Sequence, residues 1–152
     1  MKKKLILILI TTAIAAFIFS NSAMSADTSS EESEFVLNVM KFAARLFSAD
    51  LDLTQKIVRK LAHFTEFAVF GFFLSWTIRE FAGSFKGEIF KILFILLCTP
   101  VIDETIQYFP VGRSAEVRDV LIDFCGAVTG FLIVASIFVI LEARRTAKNK
   151  NN

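Results

Sequence analysis

The sequence predicts an all-α, polytopic membrane bundle of four transmembrane helices with an amphipathic helix on its surface, and three observations carry that expectation. The first is composition: 55% of the 152 residues are hydrophobic, only 21% are charged and mean hydropathy is +0.60, which argues against a disordered or ordinary soluble chain. The second is that four apolar stretches, Leu5–Phe19, Leu61–Ile78, Ile89–Phe109 and Val117–Leu141, approach the roughly 20 helical residues that cross about 30 Å of hydrocarbon. The third is that the chain has only two Pro and six Gly, which leave long segments uninterrupted, while eighteen Phe against one Trp and one Tyr suit lipid-facing and helix-packing surfaces. The net charge of +2, from 17 Lys and Arg against 15 Asp and Glu, is too balanced for a nucleic-acid partner.

Taken in order, residues 1–26 hold the first span and its exit. Lys2, Lys3 and Lys4 precede the apolar run, and Ser22 to Ala26 follow it as small residues. An uncleaved anchor is the favoured reading, a signal peptide the alternative, and both send residue 27 onward across the membrane. Residues 27–54 form an extracytoplasmic segment. It opens on DTSSEESE and continues into Phe35–Phe47, where apolar residues at 35, 36, 39, 42, 43, 46 and 47 recur at helical spacing and predict a helix lying on the surface.

Residues 55–141 supply the three-helix membrane core, and 142–152 a basic tail. Positive charge near the short connections sets direction, because cytoplasmic loops keep an excess of Lys and Arg. Lys2–Lys4, Arg79, Lys86, Lys91, Arg144, Arg145, Lys148 and Lys150 all fall on one side if the chain starts inside and crosses four times. Both termini are then cytoplasmic. Pro100 is expected to bend the third span, and Cys98 and Cys125, each within an apolar span, are expected to stay unpaired.

Ionisable groups inside such spans cost several kcal/mol and persist mainly where they face a bundle interior, a cavity or one another. His63 and Glu66 fall in the first turns of the second span, Asp103, Glu104 and Gln107 in the last turns of the third, and Asp119 and Asp123 in the first turns of the fourth. In the four-crossing topology each of those ends is extracytoplasmic. At 1.5 Å per residue they lie within roughly 10 Å of the outer boundary, so they can share one shallow pocket. The inner halves Val69–Trp76 and Ile133–Leu141 carry no ionisable group.

Facing agrees with this, since a helix turns about 100° per residue. Arg59, His63 and Glu66 occupy one arc with Lys60 beside it, and Asp119, Asp123, Gly126 and Gly130 share one stripe. The Gly126/Gly130 pair would seat the fourth helix against a neighbour and aim both aspartates inward. Each member also has a plainer reading: Arg59 and Lys60 can snorkel to phosphates, and Glu104 can face water. The two aspartates are harder to dismiss, because carboxylates one turn apart repel unless a cation or shared proton lies between them.

Three blocks, KLAHFTEF at 60–67 with Gly71 downstream, DETIQYFPVGR at 103–113 and RDVLIDFCGAVTG at 118–130, together resemble the VanZ-like family of small bacterial membrane proteins across residues 5–141. Carried over by position, the resemblance implies polar motif residues at Lys60, His63, Asp103, Glu104, Gln107, Arg113 and Asp119, with Gly126 and Gly130 as the small-residue pair. Asp123 stands where the family pattern leads one to expect Asn. The resemblance implies a protein of the bacterial plasma membrane associated with resistance to teicoplanin-type glycopeptide antibiotics, and it brings no mechanism.

Three functions fit these residues. In the binding reading, Lys60, Arg113 and Arg118 meet an anionic envelope lipid, a cell-wall precursor lipid or a glycopeptide head group, with His63, Asp103, Glu104, Gln107, Asp119 and Asp123 lining the pocket and no cofactor required. In the enzyme reading, a hydrolase or transferase acts on a lipid-linked phosphate. His63 or Glu66 is then general acid or base, and Asp103, Glu104, Asp119 and Asp123 hold Mg²⁺ or Mn²⁺. A proton-coupled transporter is the third, and the apolar inner halves of the spans argue against it.

Overall fold

The computed structural model describes residues 1–24, 38, 55–111 and 115–150. They form four long helices: α1 (Lys2–Ser22), α2 (Gln55–Ala82), α3 (Ile89–Gln107) and α4 (Val117–Lys150). The expected surface helix at 35–47 lies outside the described residues, apart from Asn38. Among the described residues, three helices are long and apolar enough to cross a membrane: α1, α2 from Lys56 and α4 to Asn149. The 19-residue α3 is also strongly apolar, but it carries Lys91, Asp103 and Glu104.

Each helix folds for a local reason and is placed by its packing face. On α1, the buried residues Leu7, Thr11, Ile18 and Ser22 recur at intervals of one and two turns and form a single stripe. That stripe lies along α2, where the Thr11 and Thr77 hydroxyls are 2.9 Å apart. The chain leaves α2 through Gly83 and enters α3 past Gly87, both at positive φ (76° and 85°), where an L side chain would be strained. The Gly83 amide closes the end of α2 by donating to the Arg79 carbonyl at 2.8 Å.

Ile18, Phe67, Phe70, Ile92, Leu96, Ala127 and Phe131 make one core drawn from all four helices. Outside it the surface stays apolar, with Phe90, Phe94, Leu132 and Val139 all more than half exposed. Lipid tails rather than water suit such a surface.

The parallel pair α2 and α4 is the most extensive contact in the bundle. It is a backbone-to-backbone seam: a Cβ on Gly126 would run into the Phe64 carbonyl, one on Gly130 into the Ala68 carbonyl, and one on Gly71 into the Ala127 carbonyl. Without a hydrophobic drive between helices in lipid, close approach of this kind maximises van der Waals contact. Gly71, on the facing helix, completes the pattern that Gly126 and Gly130 begin.

Opposite ends of the bundle differ in chemistry. At the end holding the N-terminus, Lys3 pairs with Glu80 at 2.6 Å, and Arg79 pairs with Glu142 while lying 4.0 Å from the centre of the Phe138 ring. Phe85 from the connection stacks edge-on against Phe131 and Phe138. The helices run beyond the expected apolar limits, α2 beginning at Gln55 rather than Leu61 and α4 reaching Lys150 rather than Leu141. Good helix formers such as Glu, Ala, Arg and Lys carry the backbone ladder past the hydrocarbon boundary. α3 passes through the buried Pro100 and ends at Gln107, two positions before the expected Phe109. Cys98 and Cys125 are both free thiols.

Candidate functional site

At the other end of the bundle, the C-terminal turns of α1 and α3 meet the N-terminal turns of α2 and α4. This arrangement brings polar side chains from four helices together. His63 is at the centre: its Nδ1 lies 4.0 Å from Asp103 Oδ2 and 3.9 Å from Asp123 Oδ2. Asp103 is fully buried and Asp123 2% exposed. Gln107, one turn beyond Asp103, donates to Asp103 Oδ2 at 2.9 Å and reaches Ser22 of α1 at 3.4 Å. Helical spacing explains that contact, since residues four apart stack on one face.

Three further groups surround the centre. Lys60 forms an ion pair with Asp119, joining the first turns of α2 and α4, and each side chain keeps about a quarter of its surface exposed. Glu104 accepts the Glu116 amide hydrogen through Oε1 at 2.6 Å, which satisfies an orphan donor where α4 begins. Its Oε2 is buried and has no hydrogen-bond partner among the described residues. Glu66 accepts from Asn21 of α1 at 3.3 Å. It also lines a cavity of about 650 Å³ between α1 and α2, otherwise walled by Ile14, Phe17, Ile18, Val58, Leu61, Ala62, Thr65 and Val69. An apolar groove, open to the surface of the bundle, therefore adjoins the polar cluster through one side chain.

Of the residues singled out from the sequence, Lys60, His63, Glu66, Asp103, Glu104, Gln107, Asp119 and Asp123 all sit at this end. Arg113 lies outside the described residues. Their grouping differs from the expected four-carboxylate metal set. Only Asp103 and Asp123 approach a common point, and the third potential ligand there is His63, the three ligand atoms lying within 4.8 Å of one another. Glu104 and Asp119 are drawn off, the first by the Glu116 amide and the second by Lys60. Asn21, Ser22 and the Glu116 amide were not anticipated, although the polar run Ser20–Asn21–Ser22 ending an apolar span signals a helix end that can join such a cluster.

A multi-helix apolar bundle with a buried polar site at one end defines a multi-pass helical membrane protein. Residues 7–140 match the VanZ/LLP1 family along most of that bundle, and the chain belongs to this family. No curated protein and no solved structure matches the chain.

Proposed function

We propose that the protein sits in the bacterial plasma membrane with both termini cytoplasmic, and that its polar end faces outward and holds the anionic head group of an envelope lipid or a glycopeptide. Through that binding it contributes to teicoplanin-type glycopeptide resistance. One observation carries the reading: the polar cluster and the 650 Å³ apolar cavity adjoin at Glu66, so the bundle offers an amphiphile a polar seat and an apolar one side by side. Lys60 supplies positive charge at the accessible rim, since it and Asp119 stay partly exposed. Arg113, in the neighbouring connection, supplies a planar donor pair suited to phosphate or carboxylate. Asp119 holds Lys60 in place, and the carboxylates beneath keep the cations ordered. The basic flanks at 2–4, 79–91 and 144–150 support the orientation.

Antibiotic susceptibility tests it. In a susceptible host at matched protein levels, the wild-type chain should raise teicoplanin tolerance, Asp119→Asn and His63→Ala should return it to the vector level, and Lys86→Ala should behave as wild type. Equal tolerance across all four proteins contradicts the proposal.

A further inference from the structure

We infer that the groove between α1 and α2 seats one acyl chain of an outer-leaflet phospholipid, which enters sideways from the bilayer, so that the ligand of this protein is a lipid held by its tail as well as by its head. The orientation and the polar anchor rest on the head-group reading above; the chain site rests on the groove itself.

Lining chemistry is the first support. Ile18 of α1 and Val58 of α2 form a buried floor, while Phe17, Leu61 and Val69 at the sides stay exposed, so the groove opens toward the bilayer. Thr65 donates its hydroxyl to the Leu61 carbonyl at 2.8 Å and is satisfied within its own helix. Glu66 is the other polar side chain of the lining, and it accepts from Asn21 where the groove meets the polar cluster. An ordered water needs about two to four polar partners. These walls do not offer them, and hydrocarbon is the medium that fills such a surface.

Dimensions decide what kind of hydrocarbon. From Val58 to Val69 the lining extends about 16 Å along α2 at 1.5 Å per residue, close to the roughly 15 Å that one leaflet contributes to the membrane's apolar core. Its volume of about 650 Å³ holds roughly 20 groups of about 30 Å³, the space of a water molecule and close to that of a methylene. One chain of ordinary membrane length fills it and two do not, so the second chain of a diacyl lipid stays in the bilayer. A helix of the same length, about 10 Å across with its side chains, occupies about 1,250 Å³ and would stand half outside. Left empty, the floor would lack dispersion partners on one side.

Charge supplies the third support. Arg59 and Lys60 stand between the lining residues Val58 and Leu61, at the outer end of the groove. The phosphate of a seated lipid falls at that level, where Arg and Lys favour it.

Photolabelling tests the site. The full chain is reconstituted in phosphatidylcholine bilayers doped with phosphatidylglycerol that carries a diazirine at mid-chain, irradiated, digested and mapped by mass spectrometry. Ile102 of α3 and Leu121 of α4, exposed toward the same end but outside the groove, report random contact with the bilayer. Labelling at Phe17, Leu61 and Val69 should stand severalfold above those two. Thr65→Phe, which fills the groove, should bring it down to their level with helicity and elution unchanged. Equal labelling of groove and reference residues in the wild-type chain overturns the inference, as does undiminished groove labelling in folded Thr65→Phe. The wild-type comparison decides even where the variant fails to fold. The same diazirine chain on phosphatidylcholine separates the two readings: groove labelling as strong as with phosphatidylglycerol supports the acyl site and counts against the anionic head-group reading alone.

Discussion

Gly130→Ala places one methyl group against a rigid neighbour, and its cost can be worked from the seam between α2 and α4. The new Cβ would lie 2.6 Å from the Phe72 amide nitrogen and 2.9 Å from the Ala68 carbonyl carbon, besides colliding with the Ala68 carbonyl oxygen. Ordinary contact begins near 3.4 Å, so the nitrogen alone requires 3.4 − 2.6 = 0.8 Å of separation. Every one of these atoms is backbone, so no side-chain rotation relieves them. Overpacking of this kind costs about 1 to 3 kcal/mol, and a gap approaching 1 Å forfeits a quarter to a half of the dispersion along the seam. Alanine returns about 1 kcal/mol of helix propensity. Taking the upper overpacking value, the net loss is about 2 kcal/mol. Gly126→Ala should cost less, because beyond the Phe64 carbonyl oxygen its next contacts stand at 3.0 and 3.1 Å. Thermal or denaturant unfolding in detergent measures both, with the exposed Ser136→Ala as a control near zero. A Gly130→Ala protein as stable as wild type would refute the backbone-contact account of the bundle.

Topology gives a second prediction: reporter fusions at Lys86 and at Val111 should report opposite sides of the membrane, and agreement between them would dismantle the outward-facing site. At the rim, Lys60→Met should destabilise by about 1 to 2 kcal/mol because Asp119 loses its partner, and Lys60→Met with Asp119→Asn should recover most of it. Equal stability of the single and double variants in unfolding titrations would show that the pair is not coupled. At the opposite end, Arg79→Ala should cost about 1 kcal/mol and Glu142→Gln less, because Arg79 also lies over the Phe138 ring. Identical costs at the two positions would remove the ring contact from that explanation.

Apolar length, basic flanks and polar residues falling at alternate helix ends were enough to foresee which turns meet, because antiparallel crossings force every second end to one side of a membrane. Facing was legible too, as with Asp119, Asp123, Gly126 and Gly130 on one stripe. What periodicity cannot supply is which helices touch and at what depth. Hence four carboxylates looked equivalent, although Lys60 occupies Asp119 and the Glu116 amide occupies Glu104. His63 stands beside Asp103 and Asp123 because α2 and α4 run parallel with their first turns level, a property of the seam rather than of either sequence alone. Gly71 was visible only as a motif letter. Its close approach to Ala127 depends on a partner 56 positions away. Apolar patterning likewise understated α2 and α4, whose polar extensions are held by helix propensity and by pairs such as Arg79 with Glu142.

Native mass spectrometry of the gently extracted full chain reads out directly whether the polar end holds an anionic head group. A retained lipid or added glycopeptide should be bound one per chain. Anionic lipids should be enriched over their share of the host membrane, and the double variant Lys60→Met, Arg113→Ala should lose about a tenfold share of that retention, as removal of two charge-assisted contacts implies. Retained lipid matching the bulk membrane, unchanged in the double variant, would contradict it.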